Sequence, residues 1–332
     1  MGVIVVAVFV AVLTCASVPV VAGPSGQAPA ITDPLGAAGS TAPTGSGLRE
    51  QIGVYLNFGF LVAAAVILVA LWVRDVIRPG SFDRRKPKRD LMGLPTPAWF
   101  GCAAIVWLTP QVAVVVASGL MQRRAGGSSL GDQGLLMLIA YGVGIGACVL
   151  MGYLVSPRVP KAGLRLARKD ALLGAGALAI TLPILQSASL LGVVVYHWIT
   201  GESPGALAHR TLRDIASDPR NPWVWAAIGV AVIGAPIVEE FTYRLFLQSG
   251  ISRATRSSWT GILISAGVFA LVHRMADKPE NAVPWHMIPT LFIFGVAMGV
   301  ALERTGKILA PITMHVLFNA ISITLVMTGM VG

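Results

Sequence analysis

The chain has 332 residues, of which 55% are apolar and only 12% charged, and its mean hydropathy is +0.74. Since a soluble domain carries about 25% charged residues, this composition excludes a soluble globular protein and predicts a polytopic membrane protein. The net charge of +10 does not indicate nucleic-acid binding, because the basic residues lie in short loops between apolar segments, where membrane topology accounts for them. Cys15, Cys102 and Cys148 lie far apart within apolar segments, so neither a disulfide framework nor a cysteine zinc site is indicated.

The N-terminal residues 1–22 are apolar and end in the small residues Val20-Val21-Ala22. Two interpretations fit this segment: a signal peptide with a small-residue cleavage site, or an uncleaved leader helix. Residues 23–50 follow and are rich in Gly, Pro and Ser. Such a composition cannot bury a core, so it predicts a flexible linker.

Eight further segments are apolar enough to cross a membrane as helices, which needs roughly 20 residues each. We therefore predict an all-α, polytopic helical membrane protein with about eight transmembrane helices besides the leader. The chain divides into a four-helix membrane region at 51–198, to which the sequence assigns no role, and a second membrane domain at 199–332. The predicted spans are 51–73, 97–121, 134–155, 171–198, 223–250, 258–274, 286–302 and 308–330.

The distribution of basic residues predicts the orientation of these spans. The loops at 74–96 and 156–170, with those after the fifth and seventh spans, hold about twice as many Arg and Lys residues as the opposite set. Because cytoplasmic loops carry the excess of positive charge, this set is expected in the cytoplasm. The linker and the C-terminus would then lie outside.

Three charged residues stand together in the fifth predicted span: Glu239, Glu240 and Arg244. A charge inside a membrane costs ~2.5–3.5 kcal/mol on insertion scales, so it indicates a functional site by default. Glu240 and Arg244 are four residues apart, with the acid first, which predicts an ion pair on one helix face. Glu239 lies about 100° around the helix from Glu240 and is left without a partner, which suits a general base.

The later spans supply two histidines that could meet Glu239. Phe269 and His273 share one helix face, as do His315 and Asn319. Estimated depths from the cytoplasmic helix ends allow these side chains to converge inside the membrane if the helices tilt. The pairs Gly295-x-x-x-Gly299 and Gly142-x-x-x-Gly146 predict close helix packing rather than chemistry.

These three motifs, in this order, resemble the CPBP family of intramembrane proteases, which includes the type II CAAX prenyl endopeptidases and the bacteriocin-processing and immunity proteins. The resemblance covers about residues 220–332 and so implies that the second membrane domain is catalytic. Within the first motif it implies that Glu240 and Arg244 hold the helix. The motifs read Glu239-Glu240-Phe241-Thr242-Tyr243-Arg244, Phe269-Ala270-Leu271-Val272-His273 and His315-Val316-Leu317-Phe318-Asn319.

The resemblance implies peptide hydrolysis within the membrane. Carried over by position, Glu239 and His273 would activate the attacking water, while His315 and Asn319 would stabilise the oxyanion. The substrate would be a membrane-embedded or lipidated protein or peptide. We expect an integral multi-pass protein of the cytoplasmic membrane of a bacterium, with its C-terminus outside.

The sequence leaves the metal question open. Glu239, His273 and His315 have the ligand composition of a zinc protease, but no HExxH motif is present. The two chemical classes are therefore a Zn²⁺ metallopeptidase with these three ligands and a metal-free glutamate peptidase. Asn319 shares a face with His315 and is a poor zinc ligand, which favours His315 as a hydrogen-bond donor.

Two other classes of function compete with the protease. Charges and prolines within spans are also typical of a secondary transporter, although no internal repeat supports one. A catalytically inert membrane scaffold would retain the same helices, but the intact motifs argue against it.

Overall fold

The computed structural model describes residues 45–85, 87–122, 130–202, 222–275 and 283–328. The predicted signal peptide or leader helix at 1–22 and most of the predicted linker lie outside these residues. In the described part of the chain every regular element is a helix.

The helices follow the apolar segments of the sequence closely. They are α1 Gly45–Val73, α2 Thr96–Gln122, α3 Leu130–Val155, α4 Arg168–Thr200, α5 Pro222–Gly229, α6 Ala235–Glu239, α7 Gln248–Thr255, α8 Ser258–Met275, α9 Ile288–Thr305 and α10 Leu309–Met327. Two π-helical segments, Val230–Gly234 and Glu240–Leu247, connect α5 to α6 and α6 to α7, and a 3-10 turn, Trp285–Met287, precedes α9.

Eight helical segments of the described chain are long and apolar enough to span a membrane. The predicted all-α fold with eight spans is therefore confirmed, and the chain is a multi-pass membrane protein. The first span, Val54–Val73, lies at the periphery of the helix bundle, with only 6% of its most apolar 18-residue stretch buried. In the seventh span, Trp285–Thr305, 44% of the corresponding stretch is buried. Helix α1 begins at Gly45, inside the segment predicted as linker.

The fifth span, Pro222–Thr255, is not the regular α-helix that its hydropathy predicted. Pro236 lies within it and has no backbone N–H, so the ordinary hydrogen-bond register cannot continue through this position. The chain adopts the wider i→i+5 register before Pro236 and again after Glu239. Helix α6, which carries Glu239, is thus enclosed by two π turns.

The loops that follow α1, α3, α7 and α9 meet at one end of the helix bundle. The backbone N–H of Ile308 donates to the carbonyl of Gly163 at 2.9 Å, and Nε1 of Trp259 donates to the carbonyl of Arg78 at 3.1 Å. These are the loops with the excess of basic residues. The structure therefore places these loops at the same end of the bundle, as predicted. The side of the membrane that this end faces stays a prediction.

Arg89, one of the basic residues of the loop at 74–96, is buried at this end. It donates to the carbonyl of Ala162 at 2.9 Å, to Oε1 of Glu303 at 2.8 Å and to the hydroxyl of Ser249. Gln248 also donates to the Glu303 carboxylate, at 2.9 Å. The loop after α1 is thereby fastened to α7 and α9.

One of the two predicted glycine pairs forms a close helix contact. A Cβ at Gly295 would lie 3.0 Å from Cβ of Ala266 and 3.4 Å from Nη2 of Arg244. At Gly299 it would lie 2.8 Å from Oε1 of Gln248. Helix α9 therefore packs closely on α8 and on the π segment that holds Arg244.

The prediction for the second glycine pair is wrong. At Gly142 and Gly146 no described atom lies within 4 Å of the position that a Cβ would take. The close approach occurs at Gly144 instead, where a Cβ would lie 2.8 Å from Pro110 and 3.0 Å from Val238. Gly144 faces the bundle because it lies about 200° around α3 from Gly142 and Gly146.

Candidate active site

Glu239 is the last residue of α6 and its side chain is about 20% exposed. Its Oε2 atom has no hydrogen-bond partner among the residues that the structure describes. The same atom lies 3.7 Å from Nε2 of His273 and 3.8 Å from Nε2 of His315. The predicted convergence of these three residues is therefore present in the structure.

Glu240 is fully buried and contacts two partners. Oε2 lies 3.4 Å from Nε of Arg244, which is the predicted ion pair. Oε1 lies 3.0 Å from Nδ1 of His315. The sequence analysis missed this second contact, because no local spacing relates a residue of the fifth span to one of the eighth.

Arg244 lies in the interior of the helix bundle, with none of its side chain exposed. Its guanidinium carbon is 4.5 Å from the centre of the Phe269 ring, a distance at which a cation is attracted to an aromatic face. Arg244 therefore links the first motif to the second through Phe269 as well as neutralising Glu240.

Hydrogen bonds orient both histidines. Nδ1 of His273 lies 2.8 Å from the carbonyl oxygen of Phe269, and Nδ1 of His315 faces the Glu240 carboxylate. A carbonyl oxygen can only accept, so Nδ1 of His273 carries a proton. In the neutral forms with the proton on Nδ1, both Nε2 atoms present lone pairs toward Glu239.

The site thus brings three hydrogen-bond acceptors together. An arrangement of two imidazole lone pairs and a carboxylate is stable only with a proton, a water or a cation among them, since like partial charges otherwise repel.

Asn319 lies on α10 one turn after His315, as predicted, but its amide has a partner. Nδ2 donates to the carbonyl oxygen of Ala231, in the first π segment, at 2.8 Å. The predicted role in oxyanion binding is therefore open only to the second N–H of this amide, since the first is committed to the helix.

The structure also brings two tyrosines near the site that the sequence analysis missed. Tyr141, in α3, packs against Gly234 of the first π segment, where a Cβ would lie 3.2 Å from Cβ of Tyr141, and Tyr243 lies in the second π segment. The Tyr243 ring also packs edge-on against Phe269, with centroids 5.4 Å apart. Through Tyr141 the four-helix region contacts the span that carries Glu239, and no sequence signal marks this tyrosine.

His286, a further histidine near a predicted helix end, does not join the site. It is buried against the rings of Tyr196 and Trp285, with centroids at 4.8 and 6.2 Å. The structure thus separates it from the histidines of the motifs.

The residue types at the site fit zinc, because one carboxylate and two imidazoles form a known zinc-protease set. Two donors on one tetrahedral zinc, at bond lengths of about 2.0–2.2 Å, lie roughly 3.3 Å apart. The Oε2 atom of Glu239 is 3.7 and 3.8 Å from the two Nε2 atoms, a few tenths of an ångström more. Within the described ranges no cluster of three or more His, Cys, Asp or Glu residues is arranged as a metal site.

Comparison with known proteins gives one family. Residues 221–321 match the family model described as type II CAAX prenyl endopeptidase Rce1-like. No curated protein and no solved structure matches the chain significantly. The matched segment is less than a third of the chain and contains all three motifs. Residues 221–321 therefore form an Rce1-like domain, which confirms the resemblance to the CPBP family of intramembrane proteases.

Proposed function

We propose that the protein is an intramembrane endopeptidase that hydrolyses peptide bonds of membrane-associated protein substrates. The observation that carries this proposal is the convergence of two imidazole Nε2 atoms on the unpartnered Oε2 atom of Glu239. This arrangement supplies a base and two orienting groups within a segment that spans the membrane.

The hydrolytic water would lie among Glu239, His273 and the substrate carbonyl. It donates one hydrogen bond to Oε2 of Glu239 and the other to Nε2 of His273, which leaves an oxygen lone pair free to attack. As the water attacks, its proton passes to Glu239. General base catalysis of this kind contributes roughly 10²–10⁴-fold to the rate.

His315 would act on the oxyanion that forms at the carbonyl. Donation from both ring nitrogens, through Nδ1 to Glu240 at 3.0 Å and through Nε2 to the oxyanion, requires the imidazolium form, because a neutral imidazole carries one N–H. Arg244 neutralises the charge of Glu240. An imidazolium at His315 would likewise neutralise the charge of Glu239. Removing one oxyanion donor typically costs about 2.7–4 kcal/mol of transition-state stabilisation.

Zinc is the alternative chemistry for the same residues. Glu239, His273 and His315 would hold the ion, which as a Lewis acid would polarise the scissile carbonyl and activate water. Glu239 could not then serve as the free base. The peptidase is accordingly of either the glutamate or the metallo class, and metal content distinguishes the two.

We further propose that the substrates are membrane-embedded or lipidated proteins, as in CAAX processing. The site lies in spanning helices, so a substrate must enter the bilayer or be anchored to it. The excess of basic residues at one end of the bundle supports placing that end in the cytoplasm of a bacterium, with the C-terminus outside.

The experiment is cleavage by purified full-length protein in proteoliposomes. A prenylated peptide, the same peptide without its lipid, and a transmembrane peptide are offered to wild type and to Glu239→Gln, with products identified by mass spectrometry. We expect cleavage by wild type only, and the preferred peptide identifies the substrate class. Glu202→Gln, at an exposed acid in the loop after α4, is the matched control and should cleave normally.

Zinc is measured by elemental analysis in the same samples, before and after chelation. One zinc per chain that is lost together with activity and restored with it identifies the metallo class. Full activity in metal-free protein identifies the glutamate class. Unchanged cleavage in Glu239→Gln would contradict both.

A further inference from the structure

The first π segment has a carbonyl that the backbone of its own helix cannot satisfy. In this segment the N–H of Ala235 donates to the carbonyl of Val230, five residues earlier. In the same register the donor for Ala231 would be residue 236, which is proline and has no N–H. The ordinary α-helical donor for Ala231, the N–H of Ala235, is already directed to Val230.

The side chain of Asn319 supplies the missing donor. Its Nδ2 atom lies 2.8 Å from the carbonyl oxygen of Ala231, across the interface between α10 and the fifth span. A buried carbonyl without a donor destabilises a helix strongly in an apolar environment. The position of Asn319 therefore matches the one place where Pro236 interrupts the backbone ladder.

We propose that the amide of Asn319 replaces the N–H that Pro236 lacks and thereby holds the π turn that sets the direction of Glu239. Glu239 is three residues after Pro236 on the short helix α6. If the π turn relaxed to an α turn, the register would change by one residue, and the helix would rotate by about 100°. Such a rotation would turn the Glu239 carboxylate away from His273 and His315.

Asn319 is thus a positioning residue, which acts through the backbone of the helix that carries the base. The second N–H of its amide stays free for the substrate oxyanion, so the two roles are compatible. The catalytic consequence rests on the proposed peptidase function, whereas the hydrogen-bond replacement does not.

A double-mutant cycle with full-length protein tests the replacement. Thermal unfolding in detergent is measured for Asn319→Ala, Pro236→Ala and the combination. Alanine at position 236 restores the backbone donor for Ala231. Asn319→Ala should therefore lower the melting temperature in the wild-type background and lower it by less than half as much in the Pro236→Ala background. An equal loss in both backgrounds would overturn the proposal.

Pro183→Ala is the matched control, because Pro183 is also buried within a membrane helix, α4, and carries no relation to Ala231. In that background the loss caused by Asn319→Ala should be unchanged. If Asn319→Ala does not accumulate as folded protein, Asn319→Leu is used, since it nearly keeps the volume and has no hydrogen-bond donor. Folding of either variant only with Pro236→Ala supports the proposal, and failure in both backgrounds contradicts it.

Cleavage provides the readout of positioning. The double variant should cleave several-fold faster than Asn319→Ala alone, because the N–H gained at position 236 can donate to the carbonyl of Ala231 in the i→i+5 register. Cleavage by Asn319→Ala as fast as that by wild type would show that Asn319 does not direct Glu239. A wild-type protein that cleaves nothing would refute the proposed function, and the unfolding cycle would still decide the hydrogen-bond replacement.

Discussion

The Oε1 atom of Glu240 lies 3.0 Å from Nδ1 of His315, so the acid that pairs with Arg244 also orients a histidine of the site. Glu239 approaches the same imidazole from Nε2, at 3.8 Å. The two adjacent carboxylates therefore hold one ring between them, with distinct tasks: Glu240 fixes the ring and Glu239 faces the space where water would react.

Glu240→Gln should reduce cleavage by about 10–100-fold, the usual effect of changing a group that orients a catalytic residue. Glutamine retains an acceptor for Nδ1 of His315, but it removes the charge that stabilises the imidazolium. Rates are compared per folded molecule in the proteoliposome assay. Glu303→Gln is the control, because it removes a largely buried acid that pairs with Arg89 and not with a histidine of the site. This variant should keep its rate per folded molecule. A Glu240→Gln enzyme as fast as wild type would show that His315 needs no carboxylate.

Arg244→Met should lower the free energy of unfolding by ~3–5 kcal/mol, because it strands the fully buried Glu240 carboxylate without its cation. Thermal and denaturant unfolding in detergent measure the loss. Arg158→Met, at an exposed arginine just after α3 whose side chain donates to the carbonyl of Leu154, should stay within about 0.5 kcal/mol of wild type. Equal stability of the two variants would mean that the buried pair contributes nothing.

Gly295→Ala should destabilise the protein by about 1–3 kcal/mol, as overpacking of a close contact does. Its new methyl group would meet Ala266 at 3.0 Å and press on the guanidinium of Arg244. Gly146→Ala adds the same group where no described atom lies within 4 Å, so it should be neutral or slightly stabilising. Parallel melting curves check this pair, and a loss in Gly146→Ala of the same size would point to helix flexibility rather than packing.

Arg89→Ala should destabilise the bundle by ~3–5 kcal/mol, since it leaves the Glu303 carboxylate without its cation and frees the loop after α1. Limited proteolysis should then cut this loop in the variant and leave it intact in wild type. Arg158→Ala again provides an exposed comparison. If the loop of Arg89→Ala resists protease as well as wild type does, the buried arginine is not what holds it.

The spans could be predicted from the sequence because each depends on local hydropathy, and the motifs were visible because their spacings lie within single helices. The contacts between helices could not be predicted in this way. The bond from Glu240 to His315 joins residues in different spans, and no periodicity encodes it. From the sequence, Arg89 is only one of the basic residues in a loop that indicates membrane orientation. Its burial could not be predicted, because its partners Ala162, Ser249 and Glu303 come from distant parts of the chain.

The π turns were missed for a different reason. Pro236 predicts a break in the α-helical hydrogen bonds, but the sequence does not indicate whether the helix kinks or adopts the wider π register. The donor on Asn319 favours widening, and it lies on another helix. Regular α-helical geometry places Glu239 and Glu240 on separate faces, but in the structure both carboxylates lie within 4 Å of the His315 ring nitrogens.

The ion pair between Arg89 and Glu303 joins the family segment to an earlier part of the chain. Glu303 lies within residues 221–321, whereas its cation comes from more than 200 positions earlier in the chain. Gly174 and Gly192 of α4 also approach the carbonyls of Ala310 and His286 so closely that a side chain could not fit. A gene fragment limited to the family segment would lack both the cation and this covering helix. We therefore expect that residues 221–321 do not fold alone and that the four preceding helices support this segment rather than form a separable extension.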